Sequence, residues 1–330
     1  MAYFSLIVPV YNRPDEVNEL LESLTHQRCK DFEVIIVEDG SQQPCEEVVQ
    51  AYTDRLDIHY YNKPNSGPGQ SRNYGAERAH GEYLIVLDSD CIIPEGYIDA
   101  VKAELASSPA DAFGGPDRAH HSFTDMQKAI NYAMTSFFTT GGIRGGKKKL
   151  DKFYPRSFNM GIRADVYKAL GGFSKMRFGE DIDFSIRIFK GGYKCRLFPE
   201  AWVWHKRRTD LRKFFKQVHN SGIARINLYK KYPESLKLVH LLPAVFTIGV
   251  ALLLLGTPFI PWLSSLLGLF ILLIFVDSSL QNKSVKIGAI SVIAAFVQLI
   301  GYGTGFLRAW WKRCVLGKDE FEAFKNSFYK

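Results

Sequence analysis

Three short, nearly continuous apolar runs constrain this chain most: FSLIVPV at 4–10, FEVIIV at 32–37 and YLIVL at 83–87. Each is too short for a helix and rich in β-branched residues, so each reads as a strand. They do not alternate apolar with polar residues, which predicts a sheet covered on both faces. Helical segments lie between them. Pro14 opens one with Val17, Leu20, Leu21 and Leu24 on one face, 48–52 falls in a second, and 68–79 forms a third. A further strand is expected at 56–61. Strand and helix therefore alternate, which predicts an α/β sheet joined by right-handed crossovers. Ligands of such sheets bind at the carboxyl ends of the strands. Asn12, Asp39, Asp88 and Asp90 all fall at such ends.

The pattern is less regular from 112 onward. A strand is expected at 112–115, a helix at 124–138, and a glycine-rich basic loop at 141–157 (GGIRGGKKKLDKFYPRS). A helix is expected at 181–190, with Ile182, Ile186 and Phe189 at helical spacing, and a strand at 197–203. Three almost uncharged stretches follow at 238–255, 259–276 and 287–307, each near the ~20 residues that cross a bilayer core. Thr257-Pro258 breaks the first from the second. The third is rich in Gly, Ala and Ser, which suits close helix packing in lipid. A buried hairpin of a soluble protein is the alternative, but the runs are too long and too uncharged for it. If all three cross, the tail with Arg308, Lys312 and Arg313 lies opposite the first domain, against the positive-inside tendency. One segment is then re-entrant or interfacial, and Trp310-Trp311 suits an interfacial anchor. The resulting division is 1–210, a basic amphipathic helix at 211–237, an apolar region with two to three helices at 238–307, and a basic, aromatic tail at 308–330.

The net charge of +8 is local. Basic residues crowd 144–156 and 206–237, and the second cluster ends where the apolar region begins, as expected on a cytoplasmic membrane face. No nucleic-acid motif accompanies them, so nucleic acid is not an expected partner. The five cysteines are scattered, with no CxxC pair, which fits a reducing compartment. The first residues lack a basic region and a cleavage site and read as the first strand rather than a signal peptide.

The most informative local feature is Asp88-Ser89-Asp90, directly after a strand. Two carboxylates at i and i+2 can hold a hard cation, Mg²⁺ or Mn²⁺, whose remaining positions accept diphosphate oxygens and water. Such an ion neutralises charge on a departing diphosphate. An Asp-x-Asp alone is weak, because short acids also cap helices. Gly67-Pro68-Gly69 does not make a dinucleotide fingerprint, since position 72 is Arg and the segment follows the third strand. A second carboxylate cluster, Glu180-Asp181-Ile182-Asp183, lies at an expected helix start, where acids also have a purely structural role.

Taken together, Pro9-Val10-Tyr11-Asn12, Glu38-Asp39-Gly40-Ser41, the NSGPGQSRNYGA segment at 65–76 and Asp88-Ser89-Asp90 resemble family 2 glycosyltransferases over residues 4 to about 210. The resemblance implies a GT-A, Rossmann-like mixed sheet flanked by helices, followed by C-terminal transmembrane helices. It implies a metal-dependent, inverting enzyme that uses a nucleotide-sugar donor. Pro9, Tyr11 and Asp39 match donor-base contacts, with Asn12 and Glu38 beside them. Arg72 matches a nucleotide-holding residue, Asp88 and Ser89 lie by the ribose and metal, and Asp90 matches the direct metal ligand. The base is implied at Asp181, with Glu180 orienting the acceptor. Arg156, Asn159 and Gly161 match the acceptor side. His205 is a candidate for the metal shell or diphosphate, and Arg207 and Arg208 are candidates for binding phosphate. Gln217-Val218-His219-Asn220 departs from the Gln-x-x-Arg-Trp motif of processive synthases, so one sugar per binding event is implied. The expectation is transfer from a UDP-sugar to a lipid-linked acceptor, such as a polyprenyl-diphosphate glycan, in surface polysaccharide assembly. The protein would be multi-pass in the cell membrane, in contact with membrane lipid, with a cytoplasmic catalytic domain. A glycolipid synthase acting on a simple lipid, or a non-catalytic membrane scaffold, are the alternatives.

Overall fold

The computed structural model describes residues 3–118, 123–140, 153–176, 178–206 and 208–320. The early alternation is present as β1 (Phe4–Val10), α1 (Pro14–Thr25), β2 (Phe32–Asp39), α2 (Glu46–Gln50), β3 (Ile58–Lys63), α3 (Pro68–Ala76) and β4 (Tyr83–Leu87). Short β5 (Cys91–Ile92), α4 (Tyr97–Ser107), β6 (Ala112–Gly114), β7 (Asp117–Arg118), α5 (Asp125–Thr135) and α6 (Phe137–Thr140) follow. After them come β8 (Asn159–Arg163), α7 (Ala164–Ala169), α8 (Glu180–Lys190), β9 (Cys195–Leu197) and β10 (Val203–His205). The last third is helical: α9 (Leu211–Lys231), α10 (Leu242–Gly256), α11 (Leu263–Asn282) and α12 (Val285–Trp310).

Seven strands form one sheet in the order β3-β2-β1-β4-β8-β6-β9. β1 runs parallel to β2 and β4, and β2 runs parallel to β3. β8 is antiparallel to β4 and β6, so the sheet is mixed. Val10 lies opposite Glu38, and Leu87 opposite Asn159. The carboxyl ends of β1, β2 and β4 therefore share an edge with the start of β8. A small sheet of β5, β10 and β7 sits beside it in sequence around Asp90 and His205.

Both faces of the large sheet are covered, as continuous apolar strands require. Leu6, Val8, Val34 and Ile36 pack with Leu20, Leu21 and Leu24 of α1 and Val101 of α4. Ile7, Leu84, Val86 and Met160 pack on the other face with Phe173, Phe184 and Ile188. Each fully buried Leu or Ile contributes roughly 1.5–3 kcal/mol.

Three expectations shift for identifiable reasons. The strand expected at 197–203 is two strands, because Pro199 occupies a tight turn closed by Ala201 N–H donating to Phe198 O at 3.2 Å. The helix expected at 124–138 starts with Thr124 capping Gln127 but stops at Thr135, where Ser136 turns extended. The second apolar helix runs past 276 to Asn282, where Asp277 is accommodated by accepting from Tyr132 OH at 2.6 Å and Gln281 Nε2 at 3.0 Å. Of the basic loop, residues 141–152 lie outside the described residues. By length and composition, segments Ser264–Asn282 and Val285–Val315 suffice to cross a membrane, and Leu242–Gly256 is a shorter apolar helix.

Candidate active site

The site begins with loops that fix one another. Asn12, just past β1, has φ +54°, a left-handed conformation that Asn tolerates better than most residues. Its Oδ1 accepts from Gln42 N–H at 2.7 Å and Gln43 N–H at 3.1 Å, and its own N–H donates to Ser41 Oγ at 2.7 Å. Glu38 is fully buried beneath the same loop and accepts from Ser41 Oγ and from Cys45 N–H at 2.8 Å. Pro9 is half-buried in β1, and Tyr11 leaves its ring exposed at the edge. Asp39 is buried and accepts from Ser66 N–H at 2.9 Å, Gly67 N–H at 2.8 Å and the Lys63 ammonium. Those bonds set the entry to α3, where Gly67 has φ +92° and Pro68 occupies the first turn without needing an N–H partner.

Helix α3 delivers the central contact. Arg72 is 3% exposed, donates from Nη2 to Asp88 Oδ1 at 2.9 Å and from Nη1 to Glu180 Oε1 at 3.2 Å. Its guanidinium also lies 5.2 Å from the centre of the Phe173 ring. Gly69 makes the approach of α8 possible, since a Cβ there would meet Glu180 Cγ at 3.3 Å. Asp181, next along α8, is buried; its Oδ2 accepts from Arg156 Nε at 2.6 Å and its Oδ1 from Ile182 N–H at 2.8 Å. Burial, then the charge of Asp181, pushes Glu180 above the usual carboxylate range. Burial also works against Asp181, but Arg156 and Arg72 outweigh it and hold this carboxyl low. Asp183 faces elsewhere: fully buried, it accepts from Ser174 Oγ at 2.6 Å, Arg187 Nε at 3.0 Å and Tyr232 OH at 3.0 Å, tying α8 to α9.

The other end of the site is assembled by the small sheet. β10 pairs antiparallel with β5, with His205 opposite Cys91. That register brings His205 Nε2 to 3.2 Å from Asp90 Oδ1 and 3.9 Å from Asp88 Oδ2. Ligand atoms of Asp90, Cys91 and His205 lie within 4.8 Å of one another. Burial, then the nearby Asp90 and Asp88, keeps the Cys91 thiol well above its ordinary range, so it is a poor ligand. Its Sγ donates instead to Phe158 O at 3.5 Å. Asp90 Oδ1 is buried with no hydrogen-bond partner among the described residues, and His205 Nε2 lies 3.2 Å from it. A buried carboxylate oxygen left in this way fits a cation ligand. Asp90 and His205, with Asp88 beside them, are therefore the residues that can hold one. Burial opposes the charge on Asp90, yet His205, Arg13 and Arg208 hold it far below the usual carboxylate range.

Not every expected residue joins this cluster. Asn159 is fully buried and its amide is used internally: Oδ1 accepts from Tyr97 OH at 2.6 Å and Nδ2 donates to Ala201 O at 2.8 Å. The close approach expected at Gly161 is made by protein, since a Cβ there would lie 2.0 Å from the Phe113 ring. Arg208, expected on the acceptor side, has Nη1 3.8 Å from Asp90 Oδ2. Ser89 is buried between the two aspartates, and Arg207 lies outside the described residues. Two residues escaped the sequence reading. Arg13 Nη1 lies 2.6 Å from Asp90 Oδ2, and Lys63 clamps Asp39. Arg13 had a signal, since it directly follows Asn12 in the motif and a buried aspartate requires a counter-charge. Lys63 had none, because its pairing depends on the β2–β3 register.

Residues 5–171 match the family described as Glycosyl transferase family 2. An uncharacterized glycosyltransferase of Rickettsia felis is 32% identical over 135 residues, which cover 41% of this chain. The chain spans only 22% of the length of that curated relative. Among solved structures, the mannosyltransferase PcManGT of Pyrobaculum calidifontis, in complex with GDP-Man and Mn²⁺, superposes with a TM-score of 0.64. It is 17% identical, with 94% of this chain and 88% of that chain covered. TarS 1–349 of S. aureus, in complex with UDP-GlcNAc, gives a TM-score of 0.52 at 18% identity, covering 96% of this chain and 93% of that one. At these identities the two structures establish the fold, a GT-A-like mixed sheet.

The metal end is directly testable. Asp90→Asn should weaken Mn²⁺ binding by more than about ten-fold, measured by the loss of free-ion signal in electron paramagnetic resonance. Unchanged affinity would remove Asp90 from the ligand set.

Proposed function

Because the chain belongs to glycosyl transferase family 2, we propose that it moves a sugar, with inversion, from a UDP-sugar to a lipid-linked acceptor at the cytoplasmic membrane face. One observation supports this reading: Arg72 holds Asp88 and Glu180 through one guanidinium, so the residues assigned to donor and acceptor lie side by side.

The exposed Tyr11 ring offers a stacking face for the donor base. Asp39 supports uracil in particular. A carboxylate has about four acceptor sites, and three are taken by Ser66, Gly67 and Lys63. The remaining lone pair on Oδ2 is available for the imide hydrogen. Asp90, His205 and Asp88 would hold the ion, and the imidazole nitrogen favours Mn²⁺ over Mg²⁺. When bound, the ion neutralises charge on the departing diphosphate. Arg13 and Arg208 flank the same position and can bind phosphate oxygens as well.

At the other end Asp181 takes the proton. The acceptor hydroxyl oxygen attacks the anomeric carbon from the face opposite the diphosphate, and the bond to the diphosphate oxygen breaks. The hydroxyl proton passes to the Asp181 carboxylate, which Arg156 keeps oriented and ionised. Glu180, held by Arg72, positions the acceptor. The basic stretch at 206–237 and the adjoining apolar helices support a membrane-bound acceptor bearing diphosphate, such as a polyprenyl-diphosphate glycan.

Asp181→Asn should lower kcat by about 10²–10⁴ while leaving the donor dissociation constant unchanged; transfer at the native rate would end the base assignment. The pH profile separates the two carboxylates. Glu180 titrates above the usual range and Asp181 below it, so as pH falls Glu180 is protonated first and sets the acid limb of kcat/KM. Glu180→Gln should move that limb to lower pH at a reduced plateau, and an unmoved limb would contradict its assignment to Glu180.

A further inference from the structure

The three apolar helices are not alike. From Leu241 to Val276 the chain carries no charged residue, and many of its large side chains face outward: Leu255 is 71% exposed, Phe259 85% and Trp262 66%. These residues belong to α10, the turn after it, and α11. Much of α12, by contrast, is buried on opposite sides. Cβ atoms on Gly222 of α9 and Gly305 of α12 would lie 2.2 Å from Tyr302 O and 2.0 Å from His219 O, so the two backbones pack in direct contact. Facing the other way, a Cβ on Gly303 would lie 2.4 Å from Pro243 O of α10, and one on Gly288 would lie 2.9 Å from Phe275 O of α11. α12 is thus a layer between α9 and the α10–α11 pair.

The ends of α12 are also fixed. Near its start Lys286 pairs with Asp125 of α5 at 2.8 Å, and just past its end Arg313 donates to Asn227 Oδ1 of α9 at 2.6 Å. α9 exposes Arg212, Lys213, Lys216 and Lys230, too much charge for hydrocarbon, and its Leu228 packs with Ile186 of α8. A helix whose two ends both rest on the water-side domain does not cross a bilayer. The fifteen residues of α10 span roughly 22 Å, short of the ~30 Å core. The turn at 257–262, TPFIPW, has no charge to meet water on a far side.

We propose that α10 and α11 form a re-entrant hairpin that enters an anionic bilayer from the catalytic side and returns to it, while α12 is a strut between hairpin and catalytic domain. Residues 308–320 then lie on the catalytic side. Lys237, Lys283, Lys286 and Arg308 are all exposed at the hairpin's water end, where anionic headgroups complement them. The conflict of a basic tail with the positive-inside tendency disappears. This inference rests on the membrane location proposed above and adds its topology.

The test adds the full-length protein to preformed vesicles of phosphatidylglycerol and phosphatidylethanolamine, so that the catalytic domain stays outside. Failure to co-float with the vesicles would overturn the membrane location itself and the hairpin with it. In co-floating protein, Asp54→Cys marks the catalytic side and Asp319→Cys the tail, with the native chain giving the background of its own thiols. A membrane-impermeant maleimide added outside should label both variants to the same extent. Labelling of Asp319→Cys only after detergent would overturn the proposal. Phe259→Cys, at the turn, should react with neither external maleimide nor maleimide trapped inside, and reaction with the trapped reagent would show a full crossing instead.

Discussion

The pairing of Arg72 with Asp88 and Glu180 is the contact on which the rest of the cleft depends. Arg72 is buried while Asp88 and Glu180 are partly exposed, so the three charges add little to stability as a group, yet removing both acids would leave the buried guanidinium uncompensated at a cost of about 3–5 kcal/mol. The local sequence around α3 serves this contact. Asp39 pins the helix entry, Gly67 supplies the left-handed turn, and Gly69 lets α8 come close enough for Glu180 to reach the arginine. A strand end from the first half of the chain is thereby joined to a helix start almost a hundred residues later.

Cation–carboxylate pairing repeats across the cleft: Arg13 on Asp90, Arg72 on Asp88 and Glu180, Arg156 on Asp181 and Lys63 on Asp39. At Asp90 and Asp181 these charges outweigh burial and hold the carboxyl below its usual range. In the proposed reading Arg13 and Arg72 would also present fixed donors to a nucleoside diphosphate, and donors that need no reorganisation during reaction are the most effective kind. Two neighbouring carboxylates have opposite tendencies, Glu180 raised by burial and by Asp181, and Asp181 lowered by Arg156 and Arg72.

Much of this was readable from sequence because it is local. β1, β2 and β4 appear as apolar runs, and the acids that follow them fall at the sheet edge by the rule for strand ends. What could not be read depends on tertiary pairing. Asn159 looks like a binding residue until Tyr97 and Ala201 consume its amide, and Gly161 looks like a backbone contact until Phe113 fills the space. The strand expected at 197–203 ignored Pro199, which a closer weighting of turn chemistry would have caught. The helix at 285–310 is the deepest ambiguity. A helix buried between two protein layers and one buried in lipid have the same composition, and only the glycine contacts with α9 and α10 tell them apart.

Thermal unfolding with UDP and Mn²⁺, added singly and together, probes most directly whether the aspartates after β4 and the ends of β1 and β2 form one donor site. Ligands that bind only the folded state raise Tm, and two that share a site and coordinate each other raise it by more than the sum of their separate effects. A synergistic shift is expected. Strictly additive shifts, or none with UDP, would contradict a single metal–diphosphate site.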